Sequence, residues 1–344
     1  MSVDIGLTDL FKALVIQSAR LDRPGVFLES DADGQLNLIR AFISPVQQPE
    51  PAPENESRGL AFNLRIAELI LDQGPIFLWN DHRRFNEPGQ NLRLENITIA
   101  LSEANLGQRS GKLDVTINGG HVDMAGIQSP IRGLSLSTIL ADGRLDPLTI
   151  ELGTADSRIS LSGGLDQIFD KPSIDLKLTM AAELADIRKI LNLKTELSGP
   201  VLIEMTAAGS LKNPDVTLTL NYTGGRLSGM DVHSMNLNGR MQDRKIVIER
   251  LDAETAAGKL ESTGHVDLQS AFADGFFSEP VDFSTIAYQL DINAPDSRLS
   301  AFPKMAKASG KISTRLHLSG RGISPENLTA EAAVNIYGKN ITGW

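Results

Sequence analysis

Residues 215–225, DVTLTLNYTGG, put Val216, Leu218, Leu220 and Tyr222 on one side and Thr217, Thr219, Asn221 and Thr223 on the other. A period of two marks a strand with one apolar and one wet face. Two glycines close the run, as a hairpin turn would. The pattern recurs along most of the chain and constrains the fold more than any other feature. Each such strand has an apolar face to cover, and little of the sequence reads as helix that could cover it.

Strand candidates become regular from residue 59 onward, separated by turn signals at NGG (118–120), DG (142–143) and GG (163–164 and 224–225). Helical reading is confined to short pieces: TDLFKAL (8–14), LNLIRAF (36–42), AAELADIRKIL (181–191) and PDSRLSAF (295–302). Three regions follow. Residues 1–43 read as a strand pair with short helices, broken at DRPG and turned at DADG. Residues 44–58, with prolines at 45, 49, 51 and 53, read as a linker or loop. Residues 59–344 read as one repetitive β region.

That region contains a repeat. Gly199, Gly209 and Pro214 align with Gly310, Gly320 and Pro325, each offset by 111 positions. Just upstream, a short helical piece around Leu184 and Ile187 has its counterpart around Leu299 and Phe302. A sheet growing by such units is a quasi-one-dimensional array.

Composition narrows the function. The formal charge of 33 − 43 = −10 argues against a nucleic-acid partner, whose phosphates need clustered Lys and Arg. With no cysteine there are no disulfides, thiolate zinc sites or cysteine nucleophiles. No apolar run is long enough to span a membrane, and residues 60–79, the richest window, are interrupted by Asn63, Arg65, Glu68, Asp72 and Gln73. Neither a basic leader nor a closing element is visible at the ends, so the chain reads as a piece of a longer protein.

Searches for chemistry return little. DADGQLNL spaces Asp31 and Asp33 like calcium ligands, but its glycine falls fourth rather than sixth and no Glu stands twelfth. GQRSGK (107–112) is one residue short of a phosphate loop, and Leu113 stands where Ser or Thr would hold magnesium. The histidines at 82, 121, 233, 265 and 317 are isolated, and the most decorated stretch, WNDHRRF (79–85), reads as a charged loop at a strand end. The expectation is no enzyme, no metal and no cofactor.

Two architectures would satisfy the apolar faces. Two sheets could bury them against each other in a sandwich. A single bent sheet could instead leave them lining an open trough. Such a trough exposes more contiguous apolar surface than a monomer normally carries, which implies a hydrophobic ligand. Each buried methylene is worth about 0.8 kcal/mol, so an acyl tail of roughly 16 carbons gains on the order of 10 kcal/mol. Periodicity alone does not choose between them.

Three segments, ARLDRPGVFLESDADGQLNLIRAF, LILDQGPIFLWND and AAGSLKNPDVTLTLNYTGGRLSG, resemble the AsmA-like superfamily, most closely its TamB branch. Asp31, Asp33, Gly34, Asn37 and Leu38 match the family's D-x-D-G-x-x-N-L turn. Gly209, Leu211 and Pro214, and more loosely Gly320, Ile323 and Pro325, match its repeated glycine-to-proline units. The resemblance implies a mainly β fold: an elongated, repetitive antiparallel sheet curled into a taco-like apolar groove with a few short helices. It implies a periplasmic protein of a diderm bacterium, anchored in the inner membrane and conducting phospholipid toward the outer membrane. It also implies a role in outer-membrane biogenesis with a barrel partner. The N-terminal anchor and the C-terminal domain of the family pattern are missing here, so anchoring and the barrel partner are expected of a parent protein.

The family brings no catalytic residues. The residues expected to meet phospholipid acyl chains are the alternating apolar ones. They are Ile159 and Leu161; Ile174, Leu176 and Leu178; Val216, Leu218 and Leu220; Ile246 and Ile248; Ile286, Tyr288 and Leu290; and Ile312, Leu316 and Leu318. A structural or adhesin-like β-array is the alternative, and a hydrolase a distant third.

Overall fold

A computed structural model describes residues 2–6, 13–24, 26–30, 63–74, 77–81, 91–94, 96–105, 107–124, 127–154, 156–190, 194–227, 229–277, 281–302, 307–322 and 328–342. The turn at 31–34, the proline-rich segment at 44–58, His82 and Pro325 lie outside them, as does most of the helix expected at 8–14 and all of that at 36–42. The chain is mainly β, in open sheets, and divides into two compact units at Gly164 and Leu165.

The first unit has two sheets. The larger holds β1 (Ser2–Gly6), β2 (Ala13–Asp22), β4 (Asn63–Gly74), β7 (Ile97–Asn105), β8 (Ser110–Ile117), β11 (Gly133–Ala141) and β12 (Arg144–Gly153), neighbours in that order. The smaller is ordered β3 (Val26–Ser30), β5 (Phe77–Asp81), β6 (Asn91–Leu94), β9 (Gly120–Met124), β10 (Ile127–Ile131). Its strands are continuations of β2, β4, β7, β8 and β11 across a common kink line, in the same lateral order. Pro24, with no N–H to give a ladder, marks the kink after β2. Positive φ marks it at Arg23 (50°), Gln73 (49°), Asn96 (51°) and Gly119 (102°).

One expectation needs correction here. Asn118–Gly119 is no hairpin, because β8 pairs with β7 and β11 while β9 pairs with β6 and β10. The fold is antiparallel as expected, with two parallel pairs in it, β2–β4 and β3–β5.

The chain passes to the second unit within β13 (Arg158–Asp166). Gly163 and Gly164 therefore stand inside a strand, where a turn was expected. At Gly164 the role is close approach: a Cβ there would lie 3.2 Å from the Leu145 carbonyl oxygen. Asp142–Gly143 is a turn as expected, with φ of 51° and 74° matching a two-residue hairpin.

The second unit is one antiparallel sheet. Its strands are β14 (Ser173–Glu183), β15 (Pro200–Ser210), β16 (Asn213–Tyr222), β18 (Met230–Gln242), β19 (Lys245–Thr255), β20 (Lys259–Asp267), β21 (Ala287–Arg298), β22 (Ser309–Arg321) and β23 (Thr329–Thr342). After β16 the chain does not turn at Gly224–Gly225; it runs on as β17 (Gly225–Leu227), which also pairs with β18. Among the described residues no pairing joins β14 to β23, so the sheet is open.

Helix α1 (Leu184–Ile190) follows β14 and folds over that end of the sheet. Ala182, Val201, Tyr222 and Val232 are buried there, with Leu184, Ile187 and Met235 packed on them. The second helical segment shrinks to a 3-10 turn, Leu299–Ala301, since residues 295–298 complete β21. Both short helical pieces precede a strand of the repeat, β15 and β22, and the aligned Gly199 and Gly310 share φ of 105° and 112°.

Candidate functional site: an uncharged face nine strands wide

Directly opposed residues of antiparallel strands point to the same face, so register alone maps the surface. In the second unit Leu178 stands opposite Met205, Met205 opposite Leu218, and Leu218 opposite Gly239. The row continues through Ile248, Gly264, Leu290 and Leu318 to Ala332. At about 4.8 Å per strand, its eight steps span roughly 38 Å. A parallel row starts at Leu176 and passes Val216, Ile246, Val266 and Tyr288 to Ala330. A third starts at Met180 and passes Leu220, Leu237, Leu251 and Ile292 to Val334. None of the three rows contains a charged residue.

The opposite face is the converse. Thr206 and Thr217 share a hydroxyl hydrogen bond of 2.6 Å, Arg240 pairs with Glu249 at 2.9 Å, and His317 with Asp291 at 2.6 Å. That hydrogen bond from His317 holds the Asp291 carboxyl below its ordinary value. Both side chains are about half exposed, so the pair is solvated. Among the described residues no group of three His, Asp or Glu is arranged to hold a metal ion.

The first unit repeats the division. Ile97, Ile99 and Leu101 face Ile117, Val115 and Leu113, and Leu134 and Leu136 extend that face to Leu152 and Ile150. The Ser160 hydroxyl donates to the Glu151 carboxylate at 3.0 Å on the polar side, which leaves Ile159 and Leu161 on the apolar side.

Thirteen of the fourteen candidates of the second unit therefore share one face of one sheet, and Ile286 lies just before β21 begins at Ala287. Their burial differs. Leu176, Leu178, Val216, Leu218, Leu220, Ile246, Ile248, Tyr288, Leu290, Ile312, Leu316 and Leu318 are half-buried, as are Ile159 and Leu161 in the first unit. Ile174 at 9% and Ile286 at 5% exposure are packed at a strand end instead. A closed sandwich would bury the central ones as well.

The sequence reading missed half the face. Met205, Leu237, Met241, Leu251, Val266 and Ile292 complete the rows, and the signal that would have found them is pairing register. It also missed the segment between β20 and β21, where the Phe272 ring packs tilted against Phe276 at 4.9 Å and edge-to-face with Phe283 at 6.2 Å. Phe276 N donates to the Lys212 carbonyl at 2.8 Å, which ties this segment to the β15–β16 turn.

The polar face offers a local check of the structure. Asp114 on β8 accepts from the Ser137 hydroxyl at 2.6 Å and from Lys112 at 3.2 Å, and these contacts, Ser137 first, hold its carboxyl below the ordinary value. A depressed carboxyl contributes stability above the ordinary carboxylate range and loses it as pH falls through the folded value. Ser137→Ala should raise the Asp114 midpoint toward normal in a carboxyl-detected NMR titration. At neutral pH Tm should change by no more than about 2 °C, because the site is only partly buried and solvent screens it. An unmoved midpoint would show that the Ser137 bond is not what sets it.

No helix among the described residues is long and apolar enough to cross a membrane. No family model, no curated protein and no solved structure matches the chain.

Proposed function

We propose that the chain is the lipid-conducting segment of an AsmA-like, TamB-type envelope protein, its apolar face carrying phospholipid acyl chains across the periplasm of a diderm bacterium. In this reading the parent protein is held in the inner membrane and works with an outer-membrane barrel in outer-membrane biogenesis. The carrying observation is the uncharged face of the second unit, three rows deep and nine strands wide, with half-buried side chains at its centre. A water-filled trough of this kind is unfavourable in proportion to its apolar area, and an acyl chain laid along it relieves that cost. Glycines at 264 and 320 let the side chains of Leu290 and Tyr288 lie close against the backbone without adding polarity.

The test is photo-crosslinking at positions 218 and 219, followed by lipid extraction and mass spectrometry of protein purified in mild detergent. Phospholipid attached at 218 and not at 219 is the expected outcome, because Leu218 lies on the apolar face and Thr219 on the polar one. Absence of lipid at both positions in a cooperatively folded protein would return the chain to a β-array scaffold.

A further inference from the structure

One row on the polar face of the second unit is built against strand preference. Asn221, Asn236, Asp252, Glu261, Asn293 and Arg315 stand opposite one another in succession on β16, β18, β19, β20, β21 and β22. Each of these strands is paired on both sides. Asn, Asp and Glu are under-represented in strands, whereas polar-face positions such as Thr206 and Thr217 hold ordinary strand formers. Those two hydroxyls bond each other. The Asn221 and Asn236 amides and the Arg315 guanidinium have no side-chain partner among the described residues. Where local preference is given up across six strands in register, function is the usual reason.

Two hollows of about 320 and 270 Å³ open along this row, and Glu261 lines both. The chemistry of the row selects its ligand. Asp252 pairs with Arg250, and Arg315 balances Glu261, so the row favours neither a phosphate chain nor a cation. Amide and guanidinium N–H groups donate, while carboxylate and amide oxygens accept. The bond from Asn293 to Glu261, at 3.4 Å, uses only part of that capacity. A hydroxyl both donates and accepts, so a neutral polyol matches such a mixed set. Adjacent strands stand about 4.8 Å apart, close to the rise of one pyranose in an extended, cellulose-like chain. We propose that this row is a binding track for an extended, uncharged glycan, one sugar per strand over about 24 Å. The track lies on the face opposite the apolar rows and does not depend on what they carry.

The test is isothermal titration calorimetry of the whole chain with cellohexaose and with chitohexaose, linear neutral glycans long enough to cross the row. At least one should bind with Kd below about 1 mM, and its disaccharide should bind about tenfold more weakly or worse. Asn236→Ala and Arg315→Ala should each weaken binding about fivefold or more. Both side chains are exposed, so Tm should stay within about 2 °C and lost binding is not lost fold. Thr217→Ala, on the same face outside the row, should leave binding unchanged. No binding of either hexasaccharide at about 5 mM would overturn the proposal. So would disaccharides that bind as well as hexasaccharides, pyrophosphate that binds more tightly than either, or equal losses from Thr217→Ala and Asn236→Ala.

Discussion

Tyr222→Ala is expected to be the most damaging single substitution in the second unit, lowering its Tm by roughly 10 °C at a cost of about 3–5 kcal/mol. Tyr222 is 1% exposed, the most buried large side chain among the described residues. Its ring fills the end of the sheet beneath Val201 and Val232, and its hydroxyl donates to the Ser198 carbonyl at 2.6 Å. The surrounding backbone is shaped around it. A Cβ on Gly199 would lie 2.2 Å from the Gly224 carbonyl oxygen, and one on Gly225 would lie 2.6 Å from the Tyr222 hydroxyl. Truncation removes the ring and leaves the Ser198 carbonyl without its donor. Tyr222→Phe keeps the ring and should cost about 1–2 kcal/mol.

The two variants also differ in pH response. Burial, with a smaller contribution from Glu183, pushes the Tyr222 phenol up. Its contribution to stability is fully present below the phenol's unfolded value and lost as pH rises through the folded one. The parent should therefore lose stability in alkali faster than Tyr222→Phe. In an array whose strands touch only their neighbours, damage stays local. Hydrogen exchange should show lost protection in β14 to β18 before β21 to β23. Uniform loss across the nine strands would mean that the unit behaves as one closed core, against the open sheet described.

What was legible in the sequence was the alternation, because it needs only residues two apart. Leu218 and Leu220 declare their face without reference to any other strand. What was not legible depends on pairing. Residues 246–251 read as Ile246, Ile248 and then Arg250 on one face. A bulge at Glu249–Arg250 shifts the count, so Leu251 takes the third apolar place opposite Ser262. Glycine was ambiguous for the same reason. Asp142–Gly143 makes a turn through positive φ at both residues, whereas Gly164 and Gly225 serve close backbone approach, visible only once the neighbouring strand is placed. The kink line of the first unit also escaped a local reading, since each half-strand alone looks like an independent strand.

Leu218→Asp separates an open lipid-carrying face from a closed core more sharply than any other change. Leu218 sits mid-strand, half-buried, between Met205 and Gly239 on the uncharged face. In the empty protein a carboxylate there can remain hydrated on the open face, so Tm should fall by no more than about 5 °C. An acyl chain laid over the same position strips that water. Placing an aspartate in hydrocarbon costs about 2.5–3.5 kcal/mol, which corresponds to a loss of lipid occupancy on the order of a hundredfold. Lipid recovered per protein, read by mass spectrometry with a crosslinker at the neighbouring position 220, should fall to background. Thr219→Asp, one residue away on the polar face, should leave it unchanged. Were the face instead packed against protein, Leu218→Asp would bury an unpaired charge and unfold the unit outright, and lipid yield would be irrelevant. Loss of lipid with the fold retained is the outcome that only an open groove permits.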